Sequence, residues 1–402
     1  MNQTTTPSQH PVRATAGWLG VLSVCAIVAA CGGGDDDAQP LANQLYTQTN
    51  ETSNAIVHFT RQANGTLLRA ESTLTGGRGT NAVGKDGSTA PDSLAGQHSV
   101  IVDAASRLVY AVNGGDNSIS VLSIDPSSGA LTLKKRTATA SGRIPNSLAL
   151  NKGVLYATFL DGAQQLAAYR VQDDGVLTAL AAYDLTGLGA LSAAASPTQV
   201  VVSPNGGFVV VNAGTGSNAV MALPIKADGT LGAPVTNTAQ LATPFAGAFV
   251  TPTGAAPAYL TTSITGMSLA SYSFSAAGVL ARMNEAVTAG VAAPCWLVIT
   301  PDATLAYVGN GSGALSAFKV GPNAAVTLID SKAAQEAPAI TGVGSVAADS
   351  WISPDGKFLY TAYLGDDKIV AYTIGAGGTL TKLGENIVGT ATHLSLQGLA
   401  GI

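Results

Sequence analysis

From residue 42 onward, apolar and polar positions alternate in short runs separated by turn clusters. Ile119-Ser120-Val121-Leu122-Ser123-Ile124 and Lys368-Ile369-Val370-Ala371-Tyr372 carry the two-residue period of half-buried strands. No amphipathic helical pattern exceeds two turns, so the chain is predicted to be all-β. The strands recur in one phrase, an aromatic or aliphatic anchor with a leucine twenty-one residues later. Tyr46 pairs with Leu67, Tyr110 with Leu131, Tyr156 with Leu177, Val210 with Leu231, Tyr259 with Leu280 and Tyr307 with Leu328. A seventh copy, Tyr360 with Leu380, is one residue shorter. Anchor-to-anchor steps of 64, 46, 54, 49, 48 and 53 residues fit a four-stranded unit with variable loops.

Each unit reads as inner strand, tight turn, anchor strand, polar turn, alternating strand, small polar turn, outer strand. Ser203-Pro204-Asn205-Gly206, Thr300-Pro301-Asp302, Ser353-Pro354-Asp355-Gly356 and the looser Thr251-Pro252-Thr253-Gly254 form the first turn, where proline presets φ and Asn/Asp-Gly supplies the permissive corner. Pro145, Pro197, Pro244 and Pro294 stand where inner strands should begin. The first copy starts at its anchor strand, and the last is followed by a surplus apolar strand from His393 to Leu399. Each end supplies what the other lacks. The prediction is a seven-bladed β-propeller over residues 42–402, closed by the C-terminal strand joining the first blade. A pair of β-sandwiches is the competing architecture. An insertion within Gly76 to Gly96, containing Gly77-Arg78-Gly79-Thr80, is either a mobile surface segment or a lid over the ring.

Residues 1–30 stand outside the repeat. Arg13 is the sole charge before an apolar run from Trp18 to Ala30, too short to span a bilayer as a helix. Its end, Val28-Ala29-Ala30-Cys31, resembles a bacterial lipobox, which marks Cys31 for lipidation and residues 1–30 as a lipoprotein signal peptide. Residues 31–41, rich in Gly and Asp, read as a flexible tether. The chain is thus expected at the cell envelope, periplasm-facing, on the outer membrane in preference to the inner, held by its lipid as a monomer. Charged residues make up 11% and no basic run is present, so nucleic acid is excluded as a partner. With Cys25 and Cys31 in the leader region, Cys295 stands alone and no intrachain disulfide is expected.

The phrases Ser353-Pro354-Asp355-Gly356-Lys357-Phe358-Leu359-Tyr360 and Val109-Tyr110-Ala111-Val112-Asn113, with Asn117-Ser118-Ile119-Ser120-Val121, resemble the lactonase family of seven-bladed propellers, which includes 6-phosphogluconolactonases and carboxymuconate lactonising enzymes. The resemblance spans residues 42–402. It implies a His, Arg, Glu, Arg set around the channel mouth, in which guanidinium groups hold an anionic substrate and His and Glu move the proton of ring opening. At those positions this chain carries Thr198, Ala246, Ser263 and Ala348. Fold carries over from the resemblance; activity does not.

Replacement candidates are His98 and His393, each placed at the start of an inner strand, with Asp349 and Arg143 approaching the same face. The competing reading makes them wet strand ends without function. His58 is expected to be a solvated strand residue, and Asp366 and Asp367 solvated turn acids. No His-x-His pair supports a metal, and no cofactor is expected. The function these observations predict is binding of a small ligand or envelope partner at the channel mouth. The alternatives are a lactone hydrolase with a rearranged site, using His98 or His393 as base and Arg143 to orient the substrate, and a purely structural envelope propeller.

Overall fold

Every copy of the phrase folds into one antiparallel four-stranded sheet, and seven such blades form a ring. The computed structural model describes residues 42–402 apart from 141, 215 and 253–255. The signal segment 1–30, Cys31, the tether at 31–41 and most of the turn after Thr251 lie outside the described residues. Blade 2 shows the plan: inner strand Val100–Asp103, anchor strand Leu108–Asn113, third strand Ser118–Ile124 and outer strand Leu131–Ala138. Anchor and third strands are largely buried, inner strands less so, whereas the outer strand Leu67–Leu74 is exposed from Leu68 to Ser72.

The tight turns form as their residues dictate. The Gly206 and Gly356 amides donate back to the Ser203 and Ser353 carbonyls at 2.8 Å, with φ of 66° and 70° at the glycines. Between third and outer strands the register slips at His58/Phe59, Val121/Leu122, Ala168/Tyr169, Ser271/Tyr272 and Ala371/Tyr372. A bulge at a repeated position adds twist, which turns each outer strand away from the channel direction. Blade 4 differs. Leu231 makes only an isolated bridge to Ile225, and the outer strand begins at Val235, because Pro234 has no amide to donate.

The anchor tyrosines join blade to blade. Tyr46 Oη donates to Gly129 O (2.8 Å), Tyr156 to Gly229 O (2.9 Å) and Tyr307 to Gly378 O (3.1 Å), each acceptor lying in the small turn of the next blade. Tyr259 instead donates to Asn212 Oδ1 of the preceding blade, at 2.6 Å. Their rings fill the clefts between blades, where burial of each contributes about 2 kcal/mol.

Strand pairing and side-chain bonds close the ring. Gln397–Gly401 pairs antiparallel with Gln44–Gln48 as the inner strand of blade 1, and Tyr360 of blade 7 donates to Gly65 O of blade 1 at 2.8 Å. Gly65 sits at φ 88° with Phe358 so near that a Cβ would fall 2.3 Å from its ring, so glycine alone fits. The closing strand starts later than expected, leaving His393 in the turn before it.

Candidate functional site

The insertion between blades 1 and 2 is an ordered cap whose end plugs the channel. It leaves blade 1 wedged between two loops: Gly79 N donates to Glu51 O (2.7 Å), Asn81 N to Asn50 O (2.8 Å) and Gly115 N to Arg78 O (2.8 Å). A small hairpin follows, bridged by Val83 and Thr89, and Lys85 Nζ reaches across to Ser196 Oγ at 2.6 Å. The chain then dives inward at Asp92, led by Leu94, which is fully buried.

This plug, Asp92 to His98, is bonded to most of the ring. Gln97 Nε2 donates to Leu297 O (2.8 Å) and Gln97 Oε1 accepts from Leu297 N (3.0 Å), so one side-chain amide closes a two-bond pair with the inner strand of blade 6. Trp296 Nε1 donates to Gly96 O at 3.2 Å. Gln97 N donates to Thr198 O of blade 4 (3.1 Å), and Leu148 N of blade 3 donates to His98 O (3.0 Å). From blade 7, Asp349 Oδ1 accepts from His98 N at 3.0 Å. Gln397 of blade 1, with its amide oxygen turned toward the plug, accepts from Asp92 N and Ser93 N at 3.2 and 3.3 Å. Gly96 passes so close to Thr198 O that a Cβ there would lie 2.7 Å away. The channel mouth, expected to be wet, is therefore closed, and its polar groups are spent on holding the plug.

The four expected site residues separate. His98 and Asp349 do meet, through the backbone bond just described. The His98 ring lies half-buried with Nδ1 3.4 Å from Gln199 Nε2, and burial pushes its pKa down to about 4, so the imidazole is neutral. Its φ of 70° belongs to the blade, since Thr243, Ala293 and Val346 adopt the same left-handed kink beside their inner strands. Arg143 is 61% exposed on the outer side of the hairpin and pairs with Asp161 at 2.5 Å. His393 is 68% exposed, with Nδ1 3.6 Å from Asp367 Oδ2. A joint site of His98, His393, Arg143 and Asp349 is not what the fold assembles.

Other expectations are corrected by burial. His58 is not solvated; it is buried, stacked on Tyr46, with Nε2 2.6 Å from Gln44 Oε1. Asp366 and Asp367 are buried too. Asp367 accepts from the Gly389 and Thr390 amides at 3.0 and 2.7 Å, and Asp366 from Ala339 N at 2.9 Å. These acids organise backbone that would otherwise be unpaired.

Where the cap leaves the ring, it encloses a cavity of about 350 Å³ over blades 3 to 5. Leu160, Pro197, Phe245, Ile264, Ala90 and Pro91 supply apolar walls, while Lys85 stands at the rim and Asp92 and Thr198 line the side toward the plug. A larger groove of about 530 Å³ lies on the opposite face, between blades 2 and 3. It carries Asp103, Arg107, Lys134 and Asp173 and has smaller counterparts between blades 3 and 4 and between blades 6 and 7, so it is a cleft of the repeat. The cavity under the cap is built by the insertion, and it borders two acids, one half-buried and one buried.

Asp92 and Asp349 are those acids. Burial, and then the nearby Asp349 charge, hold the Asp92 carboxyl well above the usual carboxylate range. Burial pushes Asp349 up to about 7, with Oδ2 enclosed and lacking a hydrogen-bond partner. Burial also raises the Cys295 thiol, aided by Asp92. Asp92 escaped the sequence reading because it sits in a polar insertion resembling any loop; the one signal was Leu94, an apolar residue inside it. Of the four family positions, Thr198 donates to Phe245 O (2.6 Å) and Ser263 to Ala242 O (2.6 Å), while Ala246 and Ala348 are fully buried.

Ring, closure and capped mouth define an all-β, seven-bladed propeller of lactonase-like fold. Among solved structures the chain is similar to a candidate 6-phosphogluconolactonase from Bacteroides uniformis, at 19% identity and a TM-score of 0.69, over 88% of this chain and 98% of that one. A second such candidate, from Bacteroides fragilis, aligns over 92% and 100% at 17% identity and a TM-score of 0.65. The periplasmic gluconolactonase of Pseudomonas aeruginosa aligns over 86% and 97% at 16% identity, also with a TM-score of 0.65. No protein-family model and no curated relative matches the chain.

Proposed function

We propose that this chain is an exported propeller, anchored through lipid on Cys31 and facing the periplasm, that holds a small ligand in the cavity beneath its cap. The observation that carries this reading is the cavity itself: an apolar wall of Leu160, Pro197, Phe245 and Ile264, a facing polar side that includes Lys85, Asp92 and Thr198, and a position over the inner strands. The four positions at which the lactonase family places His, Arg, Glu and Arg hold Thr198, Ala246, Ser263 and Ala348, none of which ionises in this range. Binding is therefore favoured over the family's hydrolysis.

A second reading, a lactone hydrolase with a rearranged site, draws on Asp92 and Asp349, two carboxyls whose surroundings raise their proton affinity beside a cavity. A panel of sugar and alkyl lactones, assayed with the chain and with its Asp92→Asn, His98→Ala and His393→Ala variants, separates the two. Turnover that is lost in one variant sinks the binding-only reading. Binding without turnover supports it, and neither leaves a purely structural envelope role. The anchor is tested by detergent-phase partition of the expressed chain against Cys31→Ser, whose behaviour should differ.

A further inference from the structure

The cavity is bordered by carboxyls that no ion pair balances. Asp92 lines it, and Asp349 stands behind with one carboxylate oxygen enclosed and without a partner. Among the described residues, no lysine, arginine or histidine forms an ion pair with either carboxyl. Lys85, the cation at the rim, is tied to Ser196 Oγ at 2.6 Å and to Leu160 O at 3.4 Å, so its charge stays at the entrance. His98, the basic side chain nearest the plug, is held neutral. Burying carboxyls without a counter-charge is costly unless they keep a proton or meet a cation. The remaining walls set Leu160, Pro197, Phe245 and Ile264 beside the hydroxyls of Ser93 and Thr198.

We propose that the cavity takes a small amphiphilic cation, an aryl- or alkylammonium whose charged head meets Asp92 and whose body lies along Leu160, Phe245 and Ile264. This rests on the ligand-binding reading above and names the class of ligand. The volume of about 350 Å³ suits a body of one ring and a short chain. The cation supplies a counter-charge to the Asp92 carboxyl, which lines the cavity and accepts its ammonium hydrogens. Burial and the neighbouring Asp349 hold the Asp92 carboxyl above its usual range, so cation binding there is coupled to proton release. Asp349 and Cys295 from the ring, His98 from the plug, and Lys85 and Asp86 from the cap are the other ionisable groups around this point. Of these, Asp349, pushed up to about 7 by burial, ionises as the pH rises and adds to the attraction.

The test uses three probes of matched size on the full chain in mild detergent: phenethylamine, phenethyl alcohol and 3-phenylpropionate, titrated calorimetrically. Phenethylamine should bind at least about tenfold more tightly than the other two, the contrast of a charged and a neutral hydrogen bond. Its affinity should rise between about pH 6 and about pH 8 as Asp349, pushed up to about 7, ionises behind the cavity. Asp92→Asn should remove that preference. Ala194→Trp, at an exposed position on the cavity wall, should block all three. Equal binding of the three probes, abolished by Ala194→Trp, overturns the cation proposal and leaves the ligand-binding reading standing. If neither these probes nor any lactone of the panel binds, both fall.

Discussion

Replacing Asp349 by asparagine should make the propeller more stable in alkaline solution and leave it nearly unchanged in acid. The Asp349 side chain is 1% exposed; Oδ1 accepts from His98 N at 3.0 Å, and Oδ2 has no partner. Its pKa rises from 3.8 to about 7 on folding because burial disfavours the charged form. Below pH 3.8 the group is protonated in folded and unfolded chains alike and costs nothing. Between there and about pH 7 the unfolded chain ionises while the folded one resists, so stability falls; above that it is flat. The interval corresponds to a loss of about 4 kcal/mol, at roughly 1.4 kcal/mol per decade of proton affinity. Asparagine keeps the acceptor for His98 N and cannot ionise, which removes this slope. Guanidinium unfolding of wild type and Asp349→Asn, followed by tryptophan fluorescence at several pH values, measures it. The two curves should coincide near pH 4 and diverge by up to about 4 kcal/mol at pH 8. A variant that parallels the wild type throughout, or is less stable at pH 8, refutes the argument that a buried, unpaired carboxyl sits at the plug.

Three further perturbations probe closure and plug. Tyr360→Phe removes the hydroxyl that joins blade 7 to Gly65 of blade 1, at a cost of about 1 kcal/mol in chemical unfolding; a cost near zero would mean that this bond is matched by solvent. Gln97→Ala leaves the Leu297 N–H and C=O without partners inside the channel, a loss of about 2–4 kcal/mol for the two groups, and should raise amide exchange across residues 92–98; unaltered exchange would show that the plug is held elsewhere. Deletion of residues 397–402 strips blade 1 of its inner strand and exposes the edge of Gln44–Gln48, so the chain should aggregate; a monomeric product with native circular dichroism would show that closure is dispensable.

How far residues alone reveal this molecule depends on the kind of signal. Strand alternation and the anchor-to-leucine spacing are local and repeat seven times, so a chance match at one copy is corrected by the others. Blade number, strand order and closure follow from them. Local irregularity shows where such counting stops. Pro234 delays the outer strand of blade 4, and the closing strand begins at Gln397, past His393. Burial is the larger gap. His58, Asp366 and Asp367 occupy positions that alternation assigns to solvent or to turns, yet partners from elsewhere in the chain enclose them. A two-residue period states which face a side chain takes, and it is silent on what covers that face.

The chain by itself determined the ring, because each blade buries its faces against copies of the same phrase and the ends are complementary. It also determined which residue types stand at the four lactonase-family positions. Tertiary structure alone decided what lies at the centre. Gln97 and Leu297 are 200 residues apart, as are Trp296 and Gly96, and nothing in either segment announces the other. Packing a loop of small polar residues into a channel requires hydrogen-bond partners from several blades at once, and those converge only when the ring is closed. The same closure sets half-buried Asp92 beside buried Asp349 and moves Arg143 and His393 outward, so the chemistry of the mouth belongs to the assembled propeller and to no single stretch of its sequence.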